Sequence, residues 1–205
     1  MNKGIGLGEA AVMIQRYKEI EKIEDKEEYI KALFKEAKSN YGFGSSNIEL
    51  QIVPPEMLRG AIGGSDPAMH SVQIRSDIHR SRIFDTIHHE FRHHKQHYLA
   101  FNLSPQDYMQ AVNKKIEIMT NGKKKNVWND VNKFISWIES NLNEKQSANN
   151  VPADYANFAR NCIKALSVYK DVNENKLEYW NNFLEIDARN ATKKLEQAVK
   201  SHCLA

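Results

Sequence analysis

The sequence predicts an α+β protein, predominantly helical, built around a small sheet. Two stretches, residues 48–53 and 71–75, alternate apolar and polar side chains, the period of a half-buried strand. Nearly all the rest places apolar residues three and four apart, the period of a helix that buries one face. No apolar run reaches the length needed to span a bilayer.

Taken in order, Ala10 to Ile23 reads as a helix with Val12, Met13, Tyr17 and Ile20 on one side. The residues before it faintly resemble a signal peptide. Glu9 interrupts their apolar run and no small-residue cleavage site follows, so they read as the entry to that helix. Asp25 with Glu28 starts a second helix in a capping-box-like pattern, and Gly42 and Gly44 end it. Ile48 to Val53 is a strand, stopped by Pro54-Pro55. Gly60, Gly63, Gly64 and Pro67 predict an irregular, turn-rich segment. Ser71 to Arg75 is short enough for an edge strand, one that could pair with an extended peptide.

A long helix should then begin near Ser81. After Asn102 the chain reads as helix. Ser104 caps one that contains Tyr108, Val112 and Ile116. Asn121-Gly122 is a turn and Lys123 to Lys125 a solvated basic run. Val127 to Leu142, with Trp128 and Trp137, makes an amphipathic core helix. Glu144 to Val151 is loop, Pro152 to Lys170 helix, and Asn173 to Asn175 a break. One last helix runs from Lys176 to Lys200. The whole, residues 1–205, reads as a single domain, with 103–172 a helical elaboration.

The chemistry concentrates in His89-Glu90-Phe91-Arg92-His93, an H-E-x-x-H array. At about 100° per residue, His93 lies about 40° and His97 about 80° from His89, so the imidazoles share a face. Glu90, about 100° away, stands beside a metal held by the histidines, where it can hold and deprotonate a water. Ile83, Phe84, Ile87, Phe91 and Tyr98 gather on a core face, and Arg92, Lys95 and Gln96 on a solvent face. His88 and His94 fall off the ligand face and read as solvent-facing or packing residues.

A catalytic zinc takes three protein ligands and leaves one position open. The metzincin pattern needs a histidine six residues after His93, and Leu99 stands there. Glu185, Asp187 and His97 are the alternatives. Thr86-Ile87-His88-His89-Glu90-Phe91-Arg92-His93, with Gln96 and a later Asn182-Phe183-Leu184-Glu185-Ile186-Asp187-Ala188, resembles the gluzincin clan of zinc peptidases. The pattern is closest to minimal bacterial and phage metallopeptidase domains, including those of polymorphic toxins. That resemblance implies a zincin-like fold, one zinc ion per chain on His89, His93 and Glu185, and Glu90 as general base. It favours Glu185 through the E-x-x-A spacing to Ala188. Asp187 would then face away, or support a ligand histidine. Tyr179, His70 and His97 are candidates to stabilise a developing oxyanion.

The implied partner is a protein or peptide substrate. The net charge of +3 gives no reason to expect nucleic acid, and nothing predicts a membrane segment. Cys162 and Cys203 form no disulfide framework and read as buried or free thiols. A cytoplasmic location is expected, with a signal-independent export route left open. The competing readings are a catalytically inactive helical binding or regulatory module, and a delivered toxin peptidase.

Overall fold

The computed structural model describes residues 7–58, 60–66, 70–119, 153–169 and 175–201. Within them lie seven α-helices, a 3-10 turn and three strands, the α+β, mostly helical architecture that the periodicities predict. The expectations for Asn121-Gly122, Lys123 to Lys125, the Val127–Leu142 helix with its tryptophans, Glu144 to Val151, Asn173 and Cys203 lie outside the described residues. No helix among the described residues is long and apolar enough to cross a membrane.

Helix α1 (Leu7–Glu21) and helix α2 (Lys26–Asn40) form the first layer. Asp25 caps α2, accepting from the Glu28 backbone N–H at 2.8 Å. Gly42, at φ +83°, takes the left-handed turn that ends it, a conformation glycine adopts without Cβ strain. In α1 the buried side chains are Ile14 and Tyr17, whereas Val12 is exposed.

Strands β1 (Glu49–Val53), β2 (Gly63–Asp66) and β3 (Ser71–Arg75) form a sheet of order β1-β3-β2. β3 runs parallel to β1, with Ile52 opposite Ile74, and antiparallel to β2, with Gly63 opposite Ile74. Two expectations need correction. Ser71 to Arg75 is the central strand, paired on both sides, and has no edge to offer a peptide. Gly63 to Asp66, expected as irregular turn, is one of the two edge strands, with β1 the other. Glycine hides a strand from pattern reading because it carries no side chain to alternate.

The long helix α3 (Arg80–Leu103) is the centre of the molecule. It packs against α2, β2 and β3, and against α4 (Pro105–Met119), α5 (Ala153–Leu166) and α7 (Phe183–Ser201). Ile83, Ile87 and Phe91 are fully buried against Val72 and Ile74 of the sheet and Leu33 of α2. Each such side chain contributes about 1.5–3 kcal/mol by leaving water. The predicted solvent face is not one: Gln96 is fully buried and Arg92 is half-buried, because α7 covers them. His88 and His94 are packing residues. Burial pushes them down to about 3 and about 4, so both are neutral. Tyr17 hydroxyl meets His88 Nε2 at 3.1 Å, and His94 Nε2–H donates to the Ser71 carbonyl at 3.1 Å.

The last helical stretch is two helices, α6 (Lys176–Asn181) and α7, where one was expected. Asn182 breaks it in an extended conformation, φ −66° and ψ 138°. Its Oδ1 accepts from the Leu184 N–H at 2.9 Å and its Nδ2 donates to the Ala165 carbonyl at 3.2 Å. Asparagine is a strong N-cap because its side chain replaces the missing backbone acceptor.

β2 lies so close to α3 that Gly63 has no room for a methyl group. A Cβ there would stand 2.3 Å from Thr86 Cγ2 and 3.2 Å from Glu90 Oε1. Gly63→Ala should therefore destabilise the fold by about 1–3 kcal/mol, the usual cost of overpacking. Thr86→Ser, which deletes Cγ2, should recover part of that loss. Urea unfolding of the two single variants and the double variant measures both effects.

Candidate metal centre

Helix α3 presents His89 and His93 one turn apart, as the four-residue spacing requires. Helix α7 brings Glu185 to them from 96 positions along the chain. Ala188 is fully buried, and its small side chain lets the two helices approach closely. The ligand-type atoms of His89, His93 and Glu185 all lie within 4.8 Å of one another. The two Nε2 atoms are 3.0 Å apart. His89 Nε2 is 3.1 Å from Glu185 Oε2, and His93 Nε2 is 3.3 Å from Oε1. A tetrahedral centre with arms of about 2.0–2.1 Å has edges of about 3.3 Å, so the donor set fits one small divalent cation.

Glu185 is a carboxylate at 1% exposure, which burial alone would protonate. Hydrogen bonds and charge from His89 and His93 outweigh burial and hold its carboxyl below the ordinary range. Tyr169 donates to Oε1 at 2.9 Å, and Tyr179 stands near enough for the carboxylate charge to act on its phenol. Burial, then the Glu185 charge, pushes both phenols up, so they stay donors. Position adds to this. Asn182 is the N-cap, which puts Glu185 in the first turn of α7, where the helix dipole favours negative charge.

The imidazole of His93 is oriented from behind. Gln96 Nε2 donates to the Leu184 carbonyl at 2.9 Å and to Asp187 Oδ2 at 2.7 Å. Both acceptors lack hydrogen, so the amide can face only this way, and its Oε1 is left as acceptor. The atom against it, at 2.8 Å, is His93 Nδ1, which must carry the hydrogen. Nε2 is then the nitrogen that exchanges a proton for a metal ion. Burial would lower the His93 pKa, but the Glu185 carboxylate raises it, the electrostatic pull a cation would feel in the same place.

Asp187 does not reach the centre. Arg92 grips it through Nε at 2.7 Å and Nη2 at 3.0 Å, and it acts on His93 only through Gln96. His97 bonds the Tyr108 hydroxyl at 2.8 Å through Nδ1 and stands outside the ligand group. His70 sits in the turn before β3, at φ +53°, and its carbonyl accepts from the Glu49 N–H. Of the three oxyanion candidates, Tyr179 and His97 line the cleft around the centre and His70 does not. Glu90 lies beside the ligands, 7% exposed. Burial raises its pKa, the imidazoles oppose this and the Glu185 charge adds to it.

The cleft has two lobes, of about 590 and about 290 Å³, which meet at His89, Glu90, Glu185, Tyr179 and Gly63. The β2 edge forms one wall, and α6 with the start of α7 forms the opposite one. Tyr169, Gly63 and Arg189 carry no motif that marks them for the site; Gln96 belongs to the first motif, yet the helical wheel sets it on a solvent face. The N-cap signature Asn182-Phe183-Leu184-Glu185 was legible, and would have located both the helix break and the favoured position of Glu185. Cys162 is buried away from the centre, its thiol pushed up to about 12 by burial.

Comparison with family models, with curated proteins and with solved structures gives no match for this chain.

Two outcomes follow for metal binding, with zinc as the probe ion. Glu185→Ala should lose affinity sharply, while His97→Ala stays close to wild type; competition with a chromogenic chelator compares them, and circular dichroism checks folding. Gln96→Leu should cost roughly 10–100-fold in affinity, the usual effect of removing a hydrogen bond behind a ligand histidine.

Proposed function

We propose that the protein is a zinc-dependent peptidase that hydrolyses peptide bonds, with Glu90 as general base. The observation that carries this reading is the convergence of His89, His93 and Glu185 within 4.8 Å, on the floor of an open cleft with Glu90 beside them. His89, His93 and Glu185 would hold the ion, one per chain. When bound, zinc acts as a Lewis acid and brings the pKa of water near neutrality.

The chain supplies the rest. Glu90 takes a proton from the attacking water and returns it to the departing amine nitrogen. Its raised pKa suits that task, because a base matched to the working pH both accepts and releases a proton. Gly63, Gly64 and Ser65 line the smaller lobe along the outer edge of β2. An extended peptide laid there can take main-chain hydrogen bonds from that strand.

Glu90→Gln keeps the shape and removes the ability to take a proton. It should retain one zinc per chain by elemental analysis. Cleavage of a peptide substrate should fall at least about a hundredfold, the scale of general-base loss. Unchanged turnover would remove Glu90 from the mechanism, and a wild-type chain that takes up no zinc would remove the metal.

A further inference from the structure

We propose that Arg189 is a preorganised hydrogen-bond donor to the substrate oxygen that gains negative charge at the His89–His93–Glu185 centre. The inference rests on the peptidase reading and adds a catalytic residue to it.

Arg189 follows Glu185 by one turn of α7 and lines the larger lobe of the cleft. Its Nη1 lies 4.0 Å from Glu185 Oε2, is buried, and has no hydrogen-bond partner. The rest of the guanidinium is held at two points. Nη2 donates to the Trp180 carbonyl, and Cζ stands 4.4 Å over the Trp180 ring. A long side chain, 31% exposed, is thus held in place, and its buried Nη1 is left without a hydrogen-bond partner at the wall of the cleft. Buried donors are nearly always satisfied, so an unsatisfied one in a cleft points to a ligand.

The other donors around the centre are mostly engaged or exposed, and Lys115, in the smaller lobe, stands 4.1 Å over the Tyr169 ring. The Tyr169 hydroxyl bonds Glu185, and Tyr179 stands beside the same carboxylate, whose charge holds its proton in place. The Thr86 and Thr192 hydroxyls donate to carbonyls of their own helices, those of Arg82 and Ala188. Arg82 and Lys193 line the same lobe but are exposed, so water screens them. Ser65 Oγ is also buried without a partner, but it is neutral and lies in the smaller lobe. A guanidinium N–H bound to an anionic oxygen is roughly twice as strong as a neutral hydrogen bond. The bond strengthens as charge develops, which is the requirement for lowering a barrier.

The test uses the full chain loaded with cobalt(II), whose visible spectrum follows the binding of inorganic phosphate, a small tetrahedral oxyanion. Arg189→Met should weaken phosphate binding by at least about tenfold, the loss of one charge-assisted bond, and leave cobalt affinity close to wild type. Arg189→Lys, which keeps the charge without the fixed fork, should also bind phosphate more weakly than wild type. It serves as well if the methionine variant misfolds by circular dichroism. Lys193→Met, which removes one charge from the same lobe, should bind phosphate nearly as wild type does. Three results overturn the inference while leaving the metal centre standing. They are a wild-type chain that binds cobalt but not phosphate, an Arg189→Met loss no larger than that of Lys193→Met, and a cobalt affinity that falls together with phosphate. A wild-type chain that takes up no cobalt overturns the metal-centre reading, and this inference with it.

Discussion

A carboxylate buried to 1% exposure is the constraint around which this molecule is arranged. An isolated charge in such a place is too costly to keep, so its surroundings must answer it. Glu185 meets two imidazoles at 3.1 and 3.3 Å and a phenol at 2.9 Å, with the Tyr179 phenol nearby. These groups come from the central helix, from the residues following the Ala153–Leu166 helix, and from the short helix before Asn182. Packing alone would be better served by an apolar side chain. A charge retained at this cost is an argument for chemistry at the same point.

The same arrangement fixes orientation. Arg92, Asp187 and Gln96 form a polar clamp between the central and last helices, and the clamp ends on the back of the His93 ring. Docking of the two helices and presentation of the ligand nitrogen are therefore one event. On the opposite side of the central helix, the glycine of the edge strand sets how near the sheet can come to Glu90. Distances at the site are determined from both flanks, by rigid elements.

The legibility of the chain follows the range of the forces involved. The central helix could be read because periodicity is local: His89, Glu90 and His93 declare their shared face within one turn. Glu185 emerged only from the resemblance of a spacing, and Asn182 as a helix break was overlooked although its capping signature was present. Gly63 looked like a turn because a strand without side chains has no pattern. Gln96 looked solvated because nothing local announces a helix laid across it. Tyr169 and Arg189 gain their meaning from contacts made across the fold, which no window of sequence contains.

The 96 positions that separate His89 from Glu185 have a consequence in time. A ribosome adding roughly 5–20 residues per second needs roughly 5–20 s to pass from one to the other. Throughout that interval the emerging chain carries its histidine pair without the carboxylate that completes it. The centre can close only when the last helix has been made and has docked. If it cuts peptide bonds, the nascent chain is harmless to itself and to its neighbours until the helix that carries Glu185 has emerged and docked.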